Sequence, residues 1–277
     1  MNRAKLSRIF NRMELVAVAA AAVLFGGEAL ADQTTSCPWV IQGTSSWARW
    51  APAPYLRWDA YNDLNGKVQL VAEPGTRSAV FFLNADGSVG YRNVDQNTTT
   101  TFPGIQATHI AVGYKSRLWA LTPYGMWARW APAPYNRWDY YYDLDDKVQI
   151  VGDPTSEAGV FFLNADGSVG YRNVDQDITT TFPGIQASQI AVGYNGRLWA
   201  ITTNGMWARW APAPYNRWDY YYDLDDKVQI VGDPTSEGGI YFRNADGSIG
   251  YRNIDLNVDA SFPGWNATEL TVSDVAP

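Results

Sequence analysis

The chain has 277 residues, with 21 lysines and arginines against 28 aspartates and glutamates and a formal net charge of −7. An acidic protein repels phosphate backbones, which argues against nucleic acid as a partner. The single cysteine and single histidine exclude an internal disulfide, a metal site with several histidines and a histidine-dependent triad repeated along the chain.

The N-terminal residues 1–31 have the features of a secretory signal peptide. Four basic residues at positions 3–12 precede an apolar run at positions 15–25, and a small-residue cleavage motif ends at Ala31. The apolar run is too short for a spanning helix. We therefore expect cleavage near Ala31, a single mature domain of residues 32–277, no membrane span, and a secreted or periplasmic location. The alternative is a retained N-terminal anchor.

Internal repetition dominates the rest of the chain. The sequence WARWAPAPY begins at Trp47, Trp127 and Trp207, which gives a period of 80 residues, and residues 126–157 are identical to residues 206–237. Each unit divides into two similar halves, in which apolar, β-branched and aromatic runs are separated by turn sequences such as Asn-Ala-Asp-Gly. Half-repeats of about 40 residues with three or four strands are typical of β-propeller blades.

The two ends of the mature chain complement each other. The C-terminal sequence FPGWNATELTVSDVAP matches FPGIQASQIAVGYN but stops before the strand RLWAITTNG, which the N-terminal segment Cys37 to Trp50 would supply. We therefore predict an all-β, closed six-bladed β-propeller of three tandem 80-residue double-blade repeats, whose N- and C-terminal strands share one blade and leave no open sheet edge. An open stack of repeats is the alternative.

The acidic turns are candidate calcium ligands. DLDDK and GDPTSE place Asp143, Asp145, Asp146, Asp153 and Glu157 within 15 residues, and carboxylates are ligands that suit Ca²⁺. The spacing matches no dedicated calcium loop, so we interpret them as solvated turn residues and expect no metal or cofactor. NADGS is likewise interpreted as a hairpin turn.

The single histidine and the single cysteine are two further candidate functional groups. His109 is matched by Gln189 and Glu269 in the later units, so we interpret it as a polar surface position. Cys37 is interpreted as a buried thiol, with an intermolecular bridge as the alternative.

Aromatic residues cluster around a proline-rich segment, RWAPAPYNRWDYYYD (129–143 and 209–223). Its prolines predict a loop between the third and fourth strands of a blade. Aromatic faces can stack on the C–H face of a pyranose, while Arg and Asp bind its hydroxyls. Packing between neighbouring blades is the alternative for these aromatic residues. We expect it for Trp127 and Trp207, which lie within a strand, and leave it open for Trp130, Tyr135 and Trp138. The candidate ligand-binding residues are Arg49, Trp50, Tyr55, Arg57, Trp58, Asp59, Arg129, Trp130, Tyr135, Arg137, Trp138, Asp139, Arg209, Trp210, Tyr215, Arg217, Trp218 and Asp219. A second set consists of Tyr91-Arg92-Asn93 and its copies.

The segment FPGIQASQIAVGYNGRLWAITTNGMWARW resembles the tectonin repeat. The shared elements are FPG at 182–184, IAVG at 190–193, GRLW at 196–199 and NG at 204–205. The related tachylectin propellers share some of them. The resemblance implies a carbohydrate-binding propeller with sites between adjacent blades. The chain departs from the repeat in alternating two unlike halves and in carrying the APAPY insertion.

These observations predict a secreted, multivalent lectin that binds glycans of a cell surface and is not an enzyme. Three identical binding sites on one rigid disc raise avidity, whereas a catalytic centre normally needs unique residues. One alternative is a protein-interaction propeller in the periplasm or extracellular space. A periplasmic hydrolase is another, with its chemistry at the mouth of the central channel and residues found in one copy only.

Overall fold

The computed structural model describes residues 36–43, 46–51, 55–62, 66–124, 127–142, 147–205, 207–222 and 227–273. The predicted signal peptide, residues 1–31, lies outside these ranges. Within them the chain forms 24 β-strands and two 3₁₀ turns, Tyr114–Ser116 and Tyr194–Gly196. None of the described segments forms a helix that is long and apolar enough to span a membrane.

The strands form six antiparallel sheets of four, and each sheet is one blade. Blade 1 contains β24, β1, β2 and β3, and blades 2 to 6 contain β4–β7, β8–β11, β12–β15, β16–β19 and β20–β23. The strands are β1 (Cys37–Gln42), β2 (Ser46–Ala51), β3 (Arg57–Tyr61), β4 (Lys67–Ala72), β5 (Ala79–Asn84), β6 (Val89–Asn93), β7 (Thr98–Phe102), β8 (His109–Gly113), β9 (Arg117–Leu121), β10 (Trp127–Ala131), β11 (Arg137–Tyr141), β12 (Lys147–Gly152), β13 (Gly159–Asn164), β14 (Val169–Asn173), β15 (Ile178–Thr181), β16 (Ala187–Val192), β17 (Leu198–Thr202), β18 (Trp207–Ala211), β19 (Arg217–Tyr221), β20 (Lys227–Gly232), β21 (Gly239–Asn244), β22 (Ile249–Asn253), β23 (Val258–Phe262) and β24 (Glu269–Ser273).

The ring closes through a blade that both ends of the domain share. Strand β24 is the innermost strand of blade 1 and pairs antiparallel with β1, with Trp39 opposite Thr271. The innermost strands β24, β4, β8, β12, β16 and β20 each contact the next around the ring, and β20 returns to β24. The closed six-bladed propeller and the shared blade are confirmed.

The recurring NADGS sequence forms tight hairpin turns, as predicted. The carboxylate of Asp166 accepts hydrogen bonds from the backbone N–H and the hydroxyl of Ser168, at 2.9 and 2.6 Å. Gly167 has φ +81°, and a Cβ at this position would lie 3.0 Å from the carbonyl oxygen of Ala187. The turn therefore requires glycine for both its backbone angle and its close contact with the next blade.

The interfaces between blades alternate between two kinds, which explains the two unlike halves of each unit. In one kind, Trp119 and Trp127 stack at 5.2 Å between ring centroids and pack with Phe162 of the next blade. In the other, Phe81 packs with Trp138 of the next blade. The prediction that Trp127 and Trp207 belong to the core is confirmed, since both are fully buried.

A central channel with a volume of about 810 Å³ runs along the ring axis. Four glutamines in its wall each bind the innermost strand of the next blade; Gln149, for example, accepts from the N–H of Ile190 at 2.8 Å and donates to its carbonyl at 2.9 Å. The positions recur every 40 residues and are Gln69, His109, Gln149, Gln189, Gln229 and Glu269. The interpretation of His109 as a surface residue is wrong, because it lies in this wall, where burial lowers the pKa of its imidazole to about 4.

Candidate functional site

A pocket of about 280 Å³ lies between blades 3 and 4, beside the proline loop of residues 132–136. Three of the predicted residues, Arg129, Tyr135 and Asp139, line it. We call it the second inter-blade pocket, and we use first and third inter-blade pocket for the positions equivalent to it by the 80-residue repeat, between blades 1 and 2 and between blades 5 and 6.

An exposed Tyr-Arg-Asp unit lies at this pocket, at the end of the proline loop; Tyr135 and Asp139 line the pocket, and Arg137 lies beside them. Tyr135 donates its backbone N–H to the carbonyl of Pro132 at 3.1 Å, and its side chain is 66% exposed. The guanidinium carbon of Arg137 lies 5.5 Å from the centre of the Tyr135 ring. Its Nε is 3.2 Å from a carboxylate oxygen of Asp139. An exposed tyrosine ring therefore stands beside a fixed donor and a fixed acceptor.

The same unit occurs in the other two inter-blade pockets. The Arg57 and Arg217 guanidinium carbons each lie 5.4 Å from the neighbouring tyrosine ring, Tyr55 or Tyr215. Each arginine again lies 3.2 Å from a carboxylate, that of Asp59 or that of Asp219. The conformation is therefore common to all three repeats.

The inner wall of the second pocket is an ion-pair network that the sequence did not predict. Arg129 reaches Asp175 of the next blade at 3.1 Å. Arg117 donates to the carbonyl of Trp130 at 3.1 Å and to Glu157 at 2.8 Å. Hydrogen bonds from Lys115 and then Arg117 lower the pKa of Glu157. Glu157 therefore stays ionised at neutral pH, as a fixed acceptor inside the pocket.

The predicted tryptophans line the core and not the opening of the pocket. Trp138 is only 7% exposed and packs edge-to-face with Trp130 at 5.4 Å. Trp50 and Trp218 are also buried, while Trp58 is half-buried and donates its indole N–H to the carbonyl of Pro263 at 3.0 Å. This placement favours the packing alternative for these rings and leaves the tyrosines as the exposed aromatic surface.

The first inter-blade pocket differs from the other two in its inner wall. Cys37 occupies the position of Arg117, and Arg77 occupies that of Glu157. The Cys37 thiol donates to the carbonyl of Trp50 at 3.1 Å, as Arg117 does to that of Trp130. Burial raises the pKa of this thiol to about 12. Cys37 is buried, as expected, and unpaired.

This exchange changes the charge of the first pocket. Its charged residues are Arg49, Arg57, Arg77, Asp59 and Asp95. The third pocket balances three arginines with three acids, which are Arg197, Arg209, Arg217, Asp219, Glu237 and Asp255. The first pocket is therefore more positive than the third.

The second predicted set, Tyr91-Arg92-Asn93, is occupied within its own blade. The Tyr91 hydroxyl donates to Glu73 at 2.8 Å, and Arg92 donates to Asn97 at 2.9 Å. Asn93 is buried and accepts the backbone N–H of Gln96 at 3.0 Å. These contacts organise the loop and the strand, and they leave little capacity for a ligand.

One residue of the acidic turns, Asp153, is buried and not solvated as predicted. Asp153 is buried and accepts hydrogen bonds from the backbone of Thr155 at 2.7 Å and from the hydroxyl of Tyr171 at 2.8 Å. That interpretation is therefore wrong for Asp153. The described part of the chain contains no group of three or more potential metal-ligating side chains, and Asp143, Asp145 and Asp146 lie outside it.

These blades and their repeated inter-blade pockets define a closed β-propeller. No family model matches the sequence, and no curated protein matches it. Among solved structures, the chain is similar to the crystal structure of human WBSCR16, with a TM-score of 0.52 and 14% sequence identity over 72% of this chain and 68% of that one. At this identity the similarity supports the β-propeller fold and nothing finer.

Proposed function

We propose that the protein is a secreted, multivalent lectin that binds glycans of a cell surface in its inter-blade pockets. The observation that carries this proposal is the exposed Tyr-Arg-Asp unit, which has nearly the same geometry in all three pockets. The tectonin-like motifs of the sequence agree with this function, and the signal-like residues 1–31 agree with secretion. The repeated sites act by binding, with no catalysis.

The chemistry of the second pocket suits a sugar. The exposed face of Tyr135 can stack on the C–H face of a pyranose, and Arg129, Asp139 and Glu157 offer donors and acceptors to its hydroxyls. These groups are held by ion pairs before a ligand arrives, so little side-chain freedom is lost on binding. A volume of about 280 Å³ is near the lower end of ligand pockets, about 300 Å³, and suits one sugar residue of a longer glycan.

Presentation on one face explains how weak sites could act together. In blades 1, 3 and 5 the third strand ends and the fourth begins on the same face of the ring, so Tyr55, Tyr135 and Tyr215 lie on that face. We call it the loop face. Three sites that engage one surface gain about 10²- to 10⁴-fold in avidity without any new contact.

A protein-interaction platform is the second candidate. It is compatible with the β-propeller fold, and the exposed rings of Tyr55, Tyr135 and Tyr215 are of a type enriched at protein interfaces. A protein partner would not need the three pockets to be alike, whereas a repeated glycan would.

A glycan array tests the proposal directly. Residues 32–277 would be compared with a variant carrying Tyr55→Ala, Tyr135→Ala and Tyr215→Ala. The matched control is Ile178→Ala, which removes a partly exposed apolar side chain from the outermost strand of blade 4. We expect binding to be lost in the triple variant and kept in the control. A blank array from folded wild-type protein would reject the lectin and favour the interaction platform.

A further inference from the structure

A second depression lies on blade 5, outside the inter-blade pockets. It has a volume of about 510 Å³ and is lined by residues at the strand ends and loops of blade 5, among them Gln186, Thr202, Asn204, Tyr220 and Tyr222. We call it the tyrosine groove. None of these residues belongs to the predicted binding set.

The groove opens on the face opposite the proline loops. Strand β18 ends at Ala211, where a proline loop begins, and β19 runs back from Arg217 to Tyr221. Tyr222 therefore lies at the other end of this strand, roughly 16 Å away along a five-residue strand. Gln186 precedes β16 and Asn204 follows β17, and both of these strand ends lie at the same face as Tyr222.

The lining of the groove combines an aromatic surface with uncharged hydrogen-bonding groups. Tyr222 is 72% exposed. Tyr220 donates its hydroxyl to the carbonyl of Gly184 at 2.9 Å, which fixes its ring in the groove wall. Gln186 and Asn204 are exposed, and each amide offers both donors and an acceptor.

A buried hydroxyl in the groove adds an independent indication of a ligand. Thr202 is only 6% exposed and lines the groove. Its hydroxyl has no hydrogen-bond partner among the described residues. A buried polar group without a partner is destabilising, and a ligand hydroxyl or a water molecule would relieve this once the Thr202 side chain turns toward the groove.

We propose that the tyrosine groove is a second saccharide-binding site, specific for a neutral sugar. The second inter-blade pocket is lined by arginines and carboxylates, whereas the groove lining, among the residues that the structure describes, is uncharged. A charged sugar would lose hydration there without gaining an ionic partner. A neutral pyranose keeps its stacking on Tyr222 and its hydrogen bonds to the two amides.

The repeats differ at this groove, which gives the proposal an internal control. Blade 3 keeps the two tyrosines, Tyr140 and Tyr142, but has Tyr124 in place of Asn204. Blade 1 has Ala60 and Asn62 at the two tyrosine positions. We therefore expect strong binding at blade 5, weaker binding at blade 3 and none at blade 1. Sites on both faces would let one molecule bridge two glycan-bearing surfaces.

Amide NMR of residues 32–277 tests the groove. The protein would be titrated with a panel of neutral mono- and disaccharides and with glucuronate. A neutral sugar should shift the amides of Gln186 and Asn204, and glucuronate should not. Tyr222→Ala should weaken this binding about tenfold, while Asn62→Ala, at the matching position of blade 1, should leave it unchanged.

The outcomes separate this proposal from the function proposed for the loop face. If no sugar in the panel shifts the two amides, or if Tyr222→Ala binds as tightly as the wild type, the groove is not a saccharide site. Glycan binding that depends only on Tyr55, Tyr135 and Tyr215 would then leave the lectin intact. Groove binding that persists in the triple tyrosine variant would support the groove even if the inter-blade pockets bind nothing.

Discussion

Replacing Glu269 by glutamine should stabilise the protein at alkaline pH. Five of the six equivalent positions in the channel wall carry a neutral side chain at neutral pH, four of them glutamines, and Glu269 is the exception. Burial raises the pKa of Glu269 to about 7, although a hydrogen bond with Gln229 and the charge of Arg243 oppose this shift. The folded protein therefore retains the proton at a pH where an unfolded glutamic acid, with a pKa of about 4.3, has lost it.

The direction of the pH dependence follows from this difference in proton binding. Between about pH 4.5 and pH 7 the native state binds more protons at this site than the unfolded chain does, so its free energy of unfolding falls as the pH rises. Each pH unit of that window corresponds to about 1.4 kcal/mol, which sets an upper limit of about 3 kcal/mol. Glu269 lines the open channel and is only half-buried, so solvent screening reduces this limit, and we expect about 1–2 kcal/mol.

Urea unfolding at pH 5 and at pH 8 measures the effect. Glu269→Gln should match the wild type at pH 5 and exceed it by about 1–2 kcal/mol at pH 8. The reverse change at an equivalent position, Gln189→Glu, should destabilise the protein at pH 8 more than at pH 5. If the difference between Glu269→Gln and wild type does not change with pH, or if the variant is less stable at pH 8, then folded Glu269 does not have the raised pKa.

Three other substitutions or reagents test the fold. Burial lowers the pKa of His109 to about 4, so the wild type should lose stability as the pH falls from about 6.5 toward 4. His109→Gln should reduce this loss in urea titrations. If the variant shows the same pH profile as the wild type, His109 is not buried as described. Cys37, whose pKa burial raises to about 12, should react with a thiol reagent only after unfolding, and rapid reaction of native protein would show that it is accessible. A Cβ at Gly170 would overlap the ring of Phe162, so Gly170→Ala should cost about 1–3 kcal/mol; an unchanged urea midpoint would contradict this packing.

The fold could be predicted from the sequence because the repeat supplies its own alignment. The 80-residue period gave the number of blades, and the match between the two ends gave the shared blade that pairs β24 with β1. The alternation within each unit also corresponds to the two kinds of interface between blades. None of these inferences required the orientation of a particular side chain.

The details of the site depended on orientation and on neighbouring blades. The prolines predict a loop but not which of its aromatic rings is exposed. Tyr135 is exposed, whereas Trp138 is buried because its face of β11 turns toward the adjacent blade. Glu157 and Asp175 join the pocket from the next blade. The sequence did contain an indication that Arg117 and Glu157 are in contact. Both are replaced together in the first 80-residue unit, by Cys37 and Arg77.

The environment of the channel residues could not be predicted from alternation along a strand. A β-bulge interrupts the register between Lys147 and Gln149. It leaves Val148 exposed and directs Gln149 toward the backbone of the next blade. His109 occupies the equivalent position in blade 3. Its polar counterparts favoured a surface position for it, but all six of these residues line the channel.

The most direct test of the lectin is a crystal structure of residues 32–277 with the glycan that the array selects. We expect sugar density in the second inter-blade pocket, with a pyranose ring against Tyr135 and its hydroxyls within hydrogen-bond distance of Arg129 or Asp139. Density for the selected glycan only outside the three inter-blade pockets would contradict it.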